Sequence, residues 1–99
     1  MNSLLDIKEL QYDGKTYTSM NAIKGILEVE GFIWLLKSET HDAVIEIKNK
    51  TIIWKEGIFQ YGNWEYGIFQ NGGFYGNWIN GIWEDGYFKG KGERLIMTS

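Results

Sequence analysis

The spacing of apolar residues in the first half of the chain predicts a β-hairpin followed by one helix. Two strand-like segments, 7–12 and 15–18, flank Asp13-Gly14, and this dipeptide is a strong signal for a tight hairpin turn. Ser19 suits a helix N-cap because its hydroxyl can accept a free amide of the first turn. Gly31 is expected to end this helix. The apolar residues at helical spacing between them are Met20, Ile23, Ile26 and Leu27.

The segments that follow predict three more strands. Residues 32–36 form an unbroken apolar run, which has the length of a buried strand. Residues 43–47 and 51–54 are rich in β-branched side chains and are separated by three polar residues, so they predict a second hairpin. We therefore expect one compact domain, with a ββαβ N-terminal part over residues 1–50 and a different kind of structure over 51–99.

A five-residue repeat dominates the second part of the chain. Each unit reads aromatic-x-x-Gly-x, beginning with Trp54-Lys55-Glu56-Gly57-Ile58. A longer copy lies on top of it, because Gly62-Asn63-Trp64 and the residues after it match Gly76-Asn77-Trp78. Internal repeats determine architecture, so this repeat is the most informative feature of the sequence.

Two geometries fit a five-residue period. In an antiparallel β-meander, dipeptides such as Asn80-Gly81 and Asp85-Gly86 form type I′ turns, and each short strand carries a central aromatic ring. In a short β-solenoid with four units per coil, the repeats supply fewer than two coils, and indole rings would overfill a narrow tube. We therefore predict an α+β, β-dominated fold in which the hairpin and helix pack on a meander, with the solenoid as the alternative.

The aromatic residues can be read either as core or as a contact surface. Burial is the general tendency of such rings. A single ladder covered by one short helix would, however, leave aromatic area exposed, and large exposed apolar patches mark interfaces. On this second interpretation we expect a homodimer, with Glu65, Glu84 and Asp85 as polar contacts at the rim. The predicted binding face consists of Trp64, Phe69, Trp78, Trp83 and Phe88.

Composition and charge argue against catalysis. The chain has 13 acidic and 10 basic residues, a net charge of −3, no cysteine and one histidine. These counts leave no cysteine nucleophile and no thiolate metal site, so we expect no enzyme activity, no metal and no cofactor. No apolar run is long enough to span a membrane, and the first residues lack the features of a signal peptide. We expect a cytoplasmic protein that does not bind membranes.

The few residues that could do chemistry have simpler explanations. Asp85 is expected to be a turn residue rather than one of a catalytic pair with Glu84, because paired carboxylates act across a cleft. His41 lies in a polar segment, residues 38–42, that is expected to be a solvated loop.

The repeats resemble several known families. Trp78-Ile79-Asn80-Gly81 and Trp83-Glu84-Asp85-Gly86 resemble the core of MORN repeats, and the Gly-x-Phe spacing is similar to pentapeptide repeats. Residues 43–90 more closely resemble aromatic-x-x-Gly repeat proteins of tailed phages and their hosts. This resemblance implies a non-catalytic protein-binding module, and specifically a small inhibitor of a host defence nuclease, such as an anti-CRISPR, acting in the host cytoplasm. The partner would then be a basic nucleic-acid enzyme.

A second function class uses the same rings differently. An aromatic ladder beside Lys89, Lys91 and Arg94 could bind single-stranded nucleic acid or a small ligand by stacking and charge. Residues 56–88 carry four acids and no base, which disfavours a groove that follows phosphates. The sequence therefore favours the protein-binding function.

Overall fold

The computed structural model describes residues 5–92 and 95–96, and within them it shows an α+β fold in which strands dominate. In chain order, the elements are β1 (Ile7–Tyr12), β2 (Lys15–Tyr17), α1 (Met20–Val29), α2 (Ile33–Leu36), β3 (Glu39–Lys48), β4 (Thr51–Tyr61), β5 (Asn63–Trp64), β6 (Ile68–Phe69), β7 (Gly73–Phe74), β8 (Asn77–Trp78), β9 (Ile82–Trp83), β10 (Tyr87–Phe88) and β11 (Leu95–Ile96). The predicted fold class is thus confirmed. Neither helix in the described ranges is long and apolar enough to cross a bilayer.

The predicted first hairpin and helix are both present. Strands β1 and β2 pair antiparallel around Asp13 and Gly14, which both have positive φ. The Ser19 side chain accepts a hydrogen bond from an amide in the first turn of α1, and Gly31, just beyond the helix, has a φ of +87°. Helix α1 buries its apolar stripe in the core through Ile23 and Leu27.

The prediction of a buried strand at residues 32–36 is wrong, because this segment contains the short helix α2. Phe32 and Leu35 are buried while Ile33 between them is exposed. Buried positions three residues apart match helical rather than strand periodicity. An apolar run of this length does not distinguish the two, and here the helix places one side chain on the surface.

The second predicted hairpin is confirmed, and it is longer than expected. Strands β3 and β4 pair antiparallel, and Asn49 and Lys50 form the turn between them with positive φ. Strand β3 begins at Glu39, so His41 lies in a strand and not in the predicted loop. Its Nε2 atom is 3.4 Å from the Glu39 carboxylate. Strand β1 pairs parallel to β3 on the other side.

The repeats form a parallel β-solenoid, so the antiparallel meander is wrong and the alternative geometry is the one observed. On the first side of the coils β4, β6 and β9 pair in parallel, on the second side β4, β7 and β10, and on the third side β5 and β8. Each coil has three sides rather than the four of the expected solenoid geometry. The stacked aromatic residues are Trp54, Phe69 and Trp83 on the first side, Phe59, Phe74 and Phe88 on the second, and Trp64 and Trp78 on the third.

Glycine is required at the corners because the coils lie so close together. Gly81 has a φ of +121°, and a Cβ atom there would lie 2.5 Å from the carbonyl oxygen of Gly67 in the preceding coil. The expected type I′ geometry is absent, because Asn80 does not share the positive φ of Gly81. Instead, the Asn80 Oδ1 atom accepts a hydrogen bond of 2.8 Å from the Gly81 amide.

The N-terminal part and the solenoid share one hydrophobic core. Strand β4 pairs with β3 and also begins the first two sides of the solenoid. The largest sheet therefore runs β2-β1-β3-β4-β6-β9-β11. A repeat array needs about three stacked units and a cap to be stable, so the N-terminal layer compensates for the small number of coils.

Candidate functional site

The five aromatic residues predicted to form a contact face lie mainly in the core. Trp64 and Phe69 are fully buried, Trp78 and Trp83 are 3% and 4% exposed, and Phe88 is half-buried. Their rings point into the solenoid, where the coil itself covers them. The prediction that these rings form an exposed ladder is therefore wrong, because they form a core. The argument for a homodimer depended on their exposure and no longer applies.

The three-sided coil explains why the rings fit inside. Within one coil, rings from different sides meet edge to face, as Phe69 and Phe74 do at an angle of 84°. Between coils, rings on the same side stack almost in parallel, as Trp64 and Trp78 do at 8° and 5.4 Å. Both arrangements are favourable for aromatic quadrupoles. The expectation that indoles would overfill the tube is wrong. Each indole lies flat against a ring of the adjacent coil, so the rings form flat stacks along the sides of the coil.

The three acidic residues predicted at the rim are on the surface but are not brought together. Glu84 follows β9 on the outside of the first side, and Asp85 lies at the next corner. The Asp85 Oδ1 atom accepts a hydrogen bond of 2.7 Å from Gly86, which confirms its turn role. Glu65 lies on the third side and lines a cleft. The acids therefore do not form a single patch.

The cleft lies at the corner between the second and third sides and has a volume of about 670 Å³. One glycine from each coil lines it (Gly62, Gly76 and Gly90), and one wall comes from α2. We call this feature the corner cleft. The side chains that line it and matter for its chemistry are Trp34, Lys37, Tyr61, Asn63, Glu65, Tyr75, Asn77, Lys89 and Lys91.

Repetition aligns equivalent groups along the corner cleft. Asn77 lies fourteen residues after Asn63, and its Nδ2 atom donates a 3.1 Å hydrogen bond to the Asn63 Oδ1 atom. Lys91 forms an isolated parallel bridge with Asn77, so it occupies the same position in the next coil. A column of amide and ammonium groups therefore faces one side of the cleft.

Helix α2 supplies the opposite wall, and the sequence reading missed it. The Trp34 ring packs edge to face on Trp64, with the ring centroids 5.0 Å apart and the planes at 68°. Leu35 anchors the same helix in the core. Lys37 ends the helix, three residues after Trp34, so both reach the cleft. A helical prediction that extended to residue 37 would place Trp34 and Lys37, three positions apart, on one face.

The corner cleft is positively charged although the protein as a whole is acidic. Lys37, Lys89 and Lys91 line it, and Glu65 is the one carboxylate that lines it among the described residues. The ion pairs within that part of the chain are Lys8–Glu56, Lys55–Glu46 and His41–Glu39, and they do not use the cleft lysines.

A second surface feature lies beside the cleft on the outside of the second side. Ile58, Tyr75 and Tyr87 are 38%, 39% and 53% exposed. The rings of Tyr75 and Tyr87 meet edge to face at 6.1 Å, and the Lys89 ammonium lies 5.4 Å from the centre of the Tyr87 ring. We call Ile58, Tyr75 and Tyr87 the tyrosine patch.

The chain matches no protein-family model, no curated protein and no solved structure. The resemblance to aromatic-x-x-Gly repeat proteins therefore remains a prediction. Within the described residues, no three or more His, Cys, Asp or Glu side chains are grouped where they could hold a metal ion. Arg94, one of the three bases of the alternative function, lies outside the described residues.

Proposed function

We propose that the protein is a non-catalytic protein-binding module and that the tyrosine patch contacts the partner. The observation that carries this proposal is the exposure of Ile58, Tyr75 and Tyr87 side by side on one wall of a solenoid. Tyrosine supplies contact area at a low cost in conformational entropy and is enriched at protein interfaces. The proposed contact surface is thus the outward-facing tyrosine patch and not the inward-facing rings that the sequence predicted.

The scaffold behind the patch favours binding without rearrangement. Phe59 and Phe74 lie directly behind the patch and are fully buried, with their rings stacked at 5.0 Å. A packed core holds the outer side chains in fixed positions, which lowers the ordering cost of association. The module therefore presents a preorganised surface.

The carboxylates at one edge of the patch favour a partner with a basic surface there, while Lys89 lies against Tyr87 on the patch itself. Asp85 and Glu56, of which the second pairs with Lys8, occupy equivalent corners at one edge of the patch, and both are exposed. Opposite charges across an interface steer association and suppress wrong partners. A nucleic-acid enzyme of a host defence system has such a surface, so we retain inhibition of that enzyme class as the specific form of this proposal.

The proposal is tested by partner capture with matched variants. The wild type, Tyr87→Asp and Val29→Asp are used as baits in a lysate of the source organism, and captured proteins are quantified by mass spectrometry. Val29 is 83% exposed and lies on α1, so Val29→Asp introduces the same charge outside the patch. We expect a partner that is retained by Val29→Asp and lost with Tyr87→Asp.

Equal capture by all three baits would overturn the proposal. A second copy of the chain is the competing occupant of the patch, and sedimentation velocity at micromolar concentration distinguishes it. A dimer that Tyr87→Asp converts to a monomer would assign the patch to self-association instead.

A further inference from the structure

We propose that the corner cleft binds single-stranded nucleic acid, with its lysines contacting phosphates and its aromatic rings stacking on bases. This inference goes beyond the proposed protein-binding function and uses the neighbouring corner cleft, which shares Tyr75 with the tyrosine patch. Its support is the coincidence, in one cleft, of accessible rings, hydrogen-bonding amides and lysines that form no ion pair within residues 5–92.

The fold removes the main objection that the sequence raises against nucleic acid. Residues 56–88 carry four acids and no base, which disfavours a groove that follows phosphates. In the structure Glu56, Glu84 and Asp85 do not line the cleft, and only Glu65 of that run does. Three-sided coiling therefore separates the acids from the bases, and α2 contributes Lys37 from a distant part of the chain.

The cleft lysines are available for a ligand. Lys37, Lys89 and Lys91 are exposed and are absent from the ion pairs within the described residues. Lysines that do not already pair with carboxylates can exchange their counterions for phosphates, and the release of counterions drives binding.

The rings in the cleft are placed to stack on bases. Tyr61 is 70% exposed, and Trp34 is half-buried with one edge packed on Trp64. Base–aromatic stacking tolerates any sequence because every base presents a π-face. The combination of stacking rings and a positive groove is the one that proteins use to hold single strands.

The remaining lining suits a polar ligand of limited length. The amides of Asn63 and Asn77 offer donors and acceptors. The volume of about 670 Å³ lies within the range of about 300–1,000 Å³ typical of ligand sites. The cleft therefore accommodates a short segment of a strand.

The test measures fluorescence anisotropy of a labelled oligo-dT of about eight nucleotides, a length within the site sizes of single-strand binding folds. The test variant is K37Q/K89Q/K91Q. The matched control is K15Q/K24Q/K48Q, which removes the same charge from exposed lysines that do not line the cleft. Thermal melts verify that both variants remain folded.

We expect the test variant to weaken binding at least about tenfold and the control to weaken it about twofold or less at moderate salt. The wild-type slope of log K against log salt should be about −2 for three phosphate contacts and should approach zero in the test variant. Tyr61→Ala should weaken binding about fivefold or more because it removes a stacking ring.

Three results would overturn the inference. They are no binding of oligo-dT at about 50 mM salt, equal loss in both triple variants, or tighter binding of a polyglutamate peptide than of oligo-dT through the same lysines. The last result would assign the cleft to an acidic peptide. Because the Lys89 ammonium lies against the Tyr87 ring, the two proposals are distinguished by Tyr61→Ala, which changes a cleft residue outside the tyrosine patch and should weaken oligo-dT binding but not partner capture.

Discussion

Phe69 and Trp83 stack across adjacent coils with their ring centroids 4.6 Å apart and their planes only 4° from parallel. Fourteen residues separate them in the chain, which is the length of one coil. Phe69 also stacks on Trp54 at 5.7 Å, so it lies in the middle of a three-ring column. This column forms the first wall of the solenoid core and explains why an aromatic residue recurs at every unit.

Removing the central ring of this column should destabilise the protein strongly. We expect Phe69→Ala to lower the free energy of unfolding by about 3–5 kcal/mol, because it leaves a cavity in a packed core. Tyr61→Ala, at a position that is 70% exposed, should change it by less than about 0.5 kcal/mol. Urea unfolding followed by tryptophan fluorescence measures both values. Similar values for the two variants would contradict a buried ring column.

The corner glycines should be much less tolerant of alanine than the helix glycine. Gly81 combines positive φ with a backbone oxygen 2.5 Å from the position of a Cβ, so Gly81→Ala should cost more than about 3 kcal/mol. Gly25 lies in α1 with nothing within 4 Å of its Cβ position. Gly25→Ala should therefore stabilise by about 0.5–1 kcal/mol. Thermal unfolding ranks the two, and a neutral Gly81→Ala would show that adjacent coils are not in close contact.

Two buried tryptophans provide a matched pair for the cost of an unsatisfied donor. The Trp54 Nε1 atom donates a 3.2 Å hydrogen bond to the Gly57 carbonyl, whereas the Trp64 Nε1 atom is buried with no partner among the described residues. Trp64→Phe should therefore be less costly than Trp54→Phe by about 1 kcal/mol or more, because it removes a donor that has no acceptor. Chemical denaturation of the two variants under one condition tests the order. The reverse order would show that the Trp64 indole is satisfied in solution.

The Tyr12 phenol should titrate later than an ordinary tyrosine. Its hydroxyl donates a 2.6 Å hydrogen bond to the Glu30 carboxylate, and this bond, followed by desolvation, raises the pKa of Tyr12 above 10.0. A pKa raised by folding means that the stabilisation is complete below the ordinary value and is lost as pH rises through the folded value. Ultraviolet absorbance during a pH titration measures this pKa.

Two variants assign the late titration to this contact. We expect Glu30→Gln to lower the pKa of Tyr12, since the negative charge is removed, and Tyr12→Phe to eliminate the late phase. A late phase that persists unchanged in Glu30→Gln would exclude the carboxylate as its cause.

Local sequence signals predicted the N-terminal part because its turns and caps are specified by neighbouring residues. Asp13-Gly14 and Ser19 each act within a few positions, and both occupy their predicted roles. Residues 32–36 were misassigned because five apolar residues carry too little periodicity to separate a helix from a strand.

The repeat revealed its unit but not its direction of pairing. An aromatic-x-x-Gly-x period is compatible with strands that reverse at each glycine and with strands that turn in one sense around an axis. The fourteen-residue copy that begins at Gly62 and Gly76 was the signal for a coil, because it equals one turn of three units with one residue removed. If residues fourteen positions apart are taken to stack in adjacent coils, the sequence predicts a three-sided coil with its aromatic rings pointing inward.

The corner cleft could not be predicted from local sequence because its walls are far apart in the chain. Lys37 meets Lys89 and Lys91 only through the packing of α2 on Trp64. The order of the exposed acids and the cleft lysines along the chain follows no regular pattern, so it does not indicate which surface each of them occupies. The three sides of the coil place them on different surfaces, and this sorting depends on the number of units per turn.

Strand β4 determines where this architecture can grow. Its eleven residues pair with β3 and form two sides of the first coil, so no coil can be added before it without breaking the β3–β4 pairing. A coil can be added after the first one, because the strands of each later coil pair in parallel with those of the coil before it. Duplication of a fourteen-residue segment after Gly67 would lengthen the array and extend the corner cleft by one step while leaving the hairpin and helices untouched.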